Sequence, residues 1–386
     1  MGGRYASSRN HDGGPSARGN VSTLSPWVRR RLVGEAELVA AAVADHGASA
    51  AEKFVQEVFW RSYWKGWLEM RPGVWRAYRD GLSADRAALG EDRRLARRVA
   101  EAEEGRTGLD CFDAWATELV ETGYLHNHAR MWFASIWIFT LRLPWRLGAD
   151  FFLRHLIDGD PASNTLGWRW VAGLHTQGKA YVAQAWNIAK FTGGRFRPDP
   201  RDLAENAEPL PWDAPPPPLP LAPAPPLDPS APTALLITEE DCLPETLGIE
   251  ARGLALSRLR AAATLQITAA RSDAAVGPLV EAFDRGALED AARRAEAAGA
   301  PVVERLSAVA PEDLARWAAR AGATQIVTAW VPVGPVRDWL EAARPALGDV
   351  RVAMVRRQWD DAVWPHATAG FFRVKKEIPA LLRALT

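Results

Sequence analysis

Cysteine is nearly absent from this 386-residue chain, with Cys111 and Cys242 standing far apart. Neither has a second thiol nearby, which excludes a four-cysteine zinc or iron–sulfur site and fits a reducing compartment. Long apolar runs are missing as well. The longest, from Met131 to Leu141, is too short to span a bilayer and meets Arg142 at its end, so it reads as a buried helix and no membrane partner is expected. Residues 1–20 lack the apolar stretch of a secretory signal, and Ala6 stands where a myristoylation motif carries Ser or Thr. A cytoplasmic protein with a disordered leader over 1–20 is expected. No G-x-G-x-x-G or G-x-x-x-x-G-K-[ST] run occurs, so the common phosphate-cradling loops are absent. Net charge is missing too, with 47 Lys and Arg balancing 47 Asp and Glu. The balance hides an asymmetry: residues 1–200 carry 27 cations against 22 acids, leaving 20 against 25 for the rest. A mildly basic front half permits nucleic-acid binding without requiring it.

What is present divides the chain. Residues 206–232 are rich in Pro, Ala and Leu, with four consecutive prolines at 215–218, and form a stiff extended linker. Before it, periodic segments rich in Trp, Leu and Arg predict helices near 26–46, 50–69, 73–80, 91–104, 110–122, 125–141, 148–157 and 176–192. A mostly α front domain over 21–205 follows. After the linker, β-branched runs at 234–238, 264–269, 301–305, 325–329 and 350–355 alternate with helical stretches at 274–298, 311–321 and 335–346. That alternation predicts a C-terminal α/β domain over 233–386 with a doubly wound parallel sheet.

Four constellations in the front half bear on chemistry. Ser22, Thr23, Leu24, Ser25 and Pro26 start a helix, with hydroxyls and Pro where a cap needs them; the extra hydroxyls of Ser22 and Thr23 also suit a phosphate. Glu57, Trp60, Arg61 and Trp64 share one helical face. Tryptophan at that spacing is more often core than platform, yet an acid and a cation on the same face need partners. In Tyr124–Met131, Asn127, Arg130 and Met131 share a face, while His126 and His128 point apart and make a poor metal site. Asp158, Asp160 and Asn164 superficially suggest a calcium loop, but Ala162 and Ser163 stand where that loop needs an oxygen ligand and Gly, and Arg169 replaces its closing Glu. The plain reading there is an Asx-type loop that caps the next helix.

In order and spacing, these four motifs over 22–197 resemble the FAD-binding domain of the photolyase/cryptochrome family. Ser22–Pro26 is similar to its phosphate loop T-S-x-L-S-P, with Val21 in place of the leading Thr; Glu57, Trp60 and Arg61 match E-x-x-W-R. Gly123–Met131 matches G-[WY]-[LM]-H-N-x-x-R-M, and Trp145–Trp170 matches the block from W-R-x-G to G-W-x-W. The resemblance implies FAD as cofactor, bound by Ser22, Thr23, Leu24, Ser25, Glu57, Arg61, Asn127, Arg130, Asp158, Asp160 and Asn164. It implies an Arg130–Asp158 salt bridge beside the flavin ring, with Asn164 facing flavin N5 and influencing which radical survives. It gives Trp168 and Trp145 the inner steps of an electron relay, and Glu57, Trp60, Asn127, Met131 and Trp170 the cavity for a flipped pyrimidine dimer. No Trp lies near residue 92, where the outer relay member is expected, and segment 179–188 departs from the family's P-Y-F-R-I-F-N-P. The second half resembles the family's α/β antenna domain in order, placed after the helical domain rather than before it. Its missing R-R-D-L-R signature leaves an antenna chromophore unsupported.

Three functions follow as expectations. The first is light-driven repair of damaged DNA by electron transfer to a pyrimidine dimer, with Trp168, Trp145, Glu57 and Asn164 as its catalytic residues. The second is a blue-light photoreceptor that uses the same pocket for photoreduction, signals through the α/β domain or a protein partner, and has no repair activity. A light-independent oxidoreductase, the third, has no substrate-binding signature to recommend it.

Overall fold

A computed structural model describes residues 1–207, 209–307 and 310–385, the Ser307 side chain excepted. Eleven helices precede the first strand: α1 (Gly3–Ser8), α2 (Ser25–Arg29), α3 (Glu35–His46), α4 (Ala48–Glu69), α5 (Pro72–Glu91), α6 (Arg93–Glu103), α7 (Asp110–Thr122), α8 (Asn127–Ser135), α9 (Trp145–His155), α10 (Pro161–Val171) and α11 (Ala185–Phe191). Strands β1 (Thr233–Thr238), β2 (Ala261–Gln266), β3 (Val303–Ser307), β4 (Gln325–Ala329) and β5 (Arg351–Val355) alternate with α12 (Pro278–Ala297), α13 (Pro311–Arg320) and α14 (Pro335–Leu347). Helices α15 (Gln358–Val363) and α16 (Phe372–Leu385) close the chain. All described strands lie beyond residue 232, so the front half is helical and the back half α/β.

The chain divides into two compact units. Unit 1 is residues 1–24, 42–57 and 71–218; unit 2 is residues 25–41, 58–70 and 219–386. The Pro-rich stretch contains one of the crossings, at 218/219, while two short front-half segments count with the sheet.

Several helical expectations need correction. The stretch 26–46 is two helices, because Arg31 takes a left-handed conformation (φ 51°) that ends the first. Only 185–191 of the expected 176–192 helix forms. The helix from 125 narrows to α8 and runs on into one π turn at Ile136–Thr140. Strands β2 and β3 sit three residues before and two after their expected starts. Nor are residues 1–20 a disordered leader. They carry α1 and bury Asp12, which accepts from the Trp115 indole at 3.0 Å and Arg195 at 2.5 Å. A Gly/Ser/Arg-rich segment is ordered when its few polar anchors are desolvated and paired.

In unit 2 the sheet is fully parallel with order β3-β2-β1-β4-β5. Every residue of β1 and β4 is buried, as central strands covered on both faces require. The order reverses between β1 and β4, which makes the C-terminal end of β1 the switch point. There the acids Glu239, Glu240 and Asp241 follow the strand, and three consecutive arginines meet the acid cluster. Arg29 grips Glu240 at 2.6 and 2.7 Å, Arg30 holds Asp284 at 2.5 Å, and Arg31 reaches Asp360 at 2.6 Å and Asp241 at 3.3 Å. Such buried pairs add little net stability but leave no charge without its counterpart, so they fix which segments fit together.

Candidate flavin site in the helical unit

The site in unit 1 is set by one glycine. Gly123 ends α7 with φ 65°, and a Cβ there would lie 2.5 Å from the Ile157 side chain. Its carbonyl accepts from Ile157 N at 2.9 Å, which clamps the turn before α8 to the loop before α10. Arg130, on the first turn of α8, is thereby brought against Asp158. Its guanidinium donates to both carboxylate oxygens at 3.0 and 2.9 Å, and its Nε donates to the Leu125 carbonyl at 2.8 Å. A cation held by three hydrogen bonds has little rotational freedom left.

Asp160 is the N-cap of α10. It accepts from Ser163 N at 2.9 Å, and Pro161 takes the first helical position, where its missing N–H costs nothing. One turn on, the Asn164 amide donates to the Ala149 carbonyl at 2.7 Å, tying α10 to α9. Trp168 is buried edge-on to Phe152 (5.2 Å between ring centroids) and Trp137 (6.3 Å). Trp145 is buried beside Tyr78 at 5.8 Å, and Tyr78 lies 5.3 Å from Trp75. Glu57 pairs with Arg9 at 2.6 Å, and burial nevertheless pushes its carboxyl above the usual range.

The other expected residues are less committed. Asn127 is exposed at the start of α8, Met131 is half-buried, and Trp170 is exposed and stacked on Tyr181 at 5.5 Å. Ser22, Thr23 and Leu24 are half-buried in unit 1. The Thr23 hydroxyl donates to the Ser22 carbonyl at 2.7 Å, and Ser22 Oγ accepts weakly from Leu24 N at 3.4 Å. Ser25, Trp60 and Arg61 belong to unit 2. In that unit, against the upward push of burial, the charges of Arg31 and Lys65, with a smaller part from Arg61, hold the Glu35 carboxyl below its usual range, and the Trp60 ring stacks on Phe371 at 3.9 Å with 14° between planes.

Sequence reasoning missed Arg9, the partner of Glu57, and Trp137, the edge-on neighbour of Trp168. The first sat in a segment whose composition looked unstructured, and the second in an apolar run indistinguishable from core.

The donor set suits a flavin nucleotide. Arg130 offers a fixed cation to an electron-rich ring, and the Trp168 indole N–H is buried with no protein partner among the described residues.

Comparison with known proteins agrees. Residues 54–198 match the family described as the FAD binding domain of DNA photolyase. The chain is 38% identical over 157 residues to a deoxyribodipyrimidine photo-lyase of Streptomyces griseus, covering 40% of this chain and 33% of that protein. It is 35% identical over 214 residues to a deoxyribodipyrimidine photo-lyase of Thermus thermophilus, covering 55% and 48%. A bacterial class III photolyase from Agrobacterium tumefaciens aligns with TM-score 0.40 and 28% identity over 49% of this chain and 39% of that one. The matches thus span between a third and a half of these relatives' lengths. The helical part is a flavin-binding domain with FAD as its cofactor. Its residues 54–198 are similar to the FAD binding domain of DNA photolyase, and these relatives are photolyases.

Proposed function

We propose that this chain is a light-driven DNA repair flavoprotein that splits pyrimidine dimers by electron transfer. What carries the reading is the fixed Arg130–Asp158 pair together with the buried Trp168 in a stretch similar to the photolyase FAD domain. FAD, when bound, supplies the light-driven one-electron chemistry. The protein's part is electrostatic and positional. Arg130, oriented by Asp158 and the Leu125 carbonyl, favours added negative charge on the ring, and no reorganisation is needed as that charge develops. Asn164, anchored on Ala149, presents a neutral amide rather than an acid. Trp168 and Trp145 serve as inner electron donors, and burial keeps water from the Trp168 ring. Glu57, Asn127, Met131 and Trp170 are assigned to the dimer.

The test is direct: photoreduced protein mixed with UV-irradiated DNA and illuminated restores thymine absorbance. No restoration, together with no preference for irradiated over intact DNA at low salt, where electrostatic binding is strongest, overturns the repair reading.

One observation favours a second reading, a blue-light photoreceptor without repair. Trp60, expected to wall the flipped dimer, has a ring face already covered by Phe371. Under that reading photoreduction proceeds normally and dimers persist.

A further inference from the structure

Residues 161–198 contain no Asp or Glu, while Arg169, Lys179, Lys190, Arg195 and Arg197 lie within them. So long an acid-free stretch in a chain with equal numbers of cations and acids presents one sign of charge. Within it, Trp186 on α11 is 64% exposed, the most exposed tryptophan among the large apolar side chains at the surface. A loose loop does not explain that exposure. The neighbouring Asn187 accepts from the Trp132 indole at 3.0 Å, Ile188 is fully buried, and Phe191 packs on His128 at 5.1 Å. Helix α11 is fixed, and it holds its indole outward.

Lys190 lies four residues on from Trp186, on the same face one turn later, and is exposed as well. Trp170, 36% exposed, extends the aromatic surface: it stacks on Tyr181, whose hydroxyl meets the same Trp132 that anchors Asn187. Lys179, Lys190 and Arg197 make no ion pair among the described residues. Arg195, by contrast, holds Asp12, and Arg169 turns inward to the Asp213 carbonyl.

We propose that the Trp186–Lys190 face of α11, with Lys179, binds a DNA strand by stacking an unpaired base on Trp186. Exposed aromatic rings among unpaired cations are how proteins hold single strands, since every base offers a π-face and every linkage a charge. A duplex hides those faces. A membrane or an apolar protein partner would call for a broad apolar surface, whereas here the exposed Trp186 indole shares its helical face with the Lys190 ammonium, 5.2 Å from the Phe191 ring. The inference deepens the repair reading by naming the strand this surface takes, and rests on it only for the class of partner.

Binding is measured in the dark on the full FAD-loaded chain, by anisotropy of a labelled, undamaged oligothymidylate and of a duplex of equal length. The parent binds the single strand more tightly. Trp186→Ala weakens that binding roughly fivefold or more, the lower end for one base stack, Trp186→Phe retains most of it, and FAD content stays unchanged in both. Lys190→Gln reduces the slope of log affinity against log salt by about 0.7, the worth of one single-strand phosphate contact. Parental affinity in Trp186→Ala, or equal binding of duplex and single strand by the parent, overturns the proposal. Neither light nor lesion enters the measurement, so its failure is distinct from failure of the repair reading.

Discussion

At the scale of single residues the proposed photochemistry assigns the inner electron donor to Trp168. Its ring is buried, it packs edge-on to Phe152 and Trp137, and its N–H has no protein partner among the described residues. Trp168→Phe keeps an aromatic ring in the same packing and removes the oxidisable indole. The variant is expected to retain FAD yet lose most of its photoreduction rate under blue light, followed by bleaching of the oxidised flavin absorbance; a parental rate removes Trp168 from the relay. Asp158→Asn tests the other half of the site. It deprives Arg130 of its bidentate acceptor, and breaking a fully buried pair costs about 3–5 kcal/mol. Arg130 is 23% exposed on its side chain, so solvent screens part of that loss and about 1–3 kcal/mol is expected in denaturant unfolding, with weakened FAD retention.

At the scale of elements, helices α9 and α10 pack closely because Gly148 has no side chain. A Cβ there would stand 2.4 Å from Trp168 Cη2 and 2.8 Å from Trp137 Cε2. Gly148→Ala must therefore displace one of two buried indoles, an overpacking that costs about 1–3 kcal/mol. Lower thermal stability together with altered photoreduction is the expected result, whereas unchanged photoreduction would mean the Trp168 position is not critical. Element reading from sequence succeeded where periodicity was long: α4, α7 and the β4 strand over 325–329 were legible. It failed at breaks set by tertiary contacts, such as the left-handed Arg31 that splits 26–46. The motif residues were legible as types, and Arg130 and Asp158 do meet. What pattern could not give was Arg9 against Glu57, because a pairing 48 residues apart depends on how α1 packs. The Phe371 cover on Trp60 was equally invisible, joining residues from opposite ends of the chain.

At the scale of the whole molecule, unit 2 is built from three distant stretches of sequence joined by buried charge. Its least comfortable member is Glu239, just beyond β1, whose two oxygens accept from Ile267 N at 3.0 and 3.1 Å. Burial, then the neighbouring Asp284 carboxylate, push its pKa up to about 8, against the opposing pull of Arg30. The native state thus keeps a proton that the unfolded chain releases near the ordinary Glu value. Glu239 contributes stability that is full below that value and is lost as pH rises through about 8. The buried His126 and the half-buried His155 and His175 act in a different window. Burial lowers each to about 4, so their contribution is present above the ordinary histidine range and lost as pH falls through about 4. Alkaline destabilisation between about pH 6.5 and 9 therefore reports on Glu239 rather than on histidine. Asp284 and Asp360, raised by the same burial, shift in the same direction. Glu239→Gln keeps an oxygen for Ile267 N and removes the titration. The parent's thermal midpoint is expected to fall across this interval and the variant's to fall less, leaving Glu239→Gln the more stable protein at the alkaline end. Parallel curves for the two would mean that Glu239 is already ionised in the folded state.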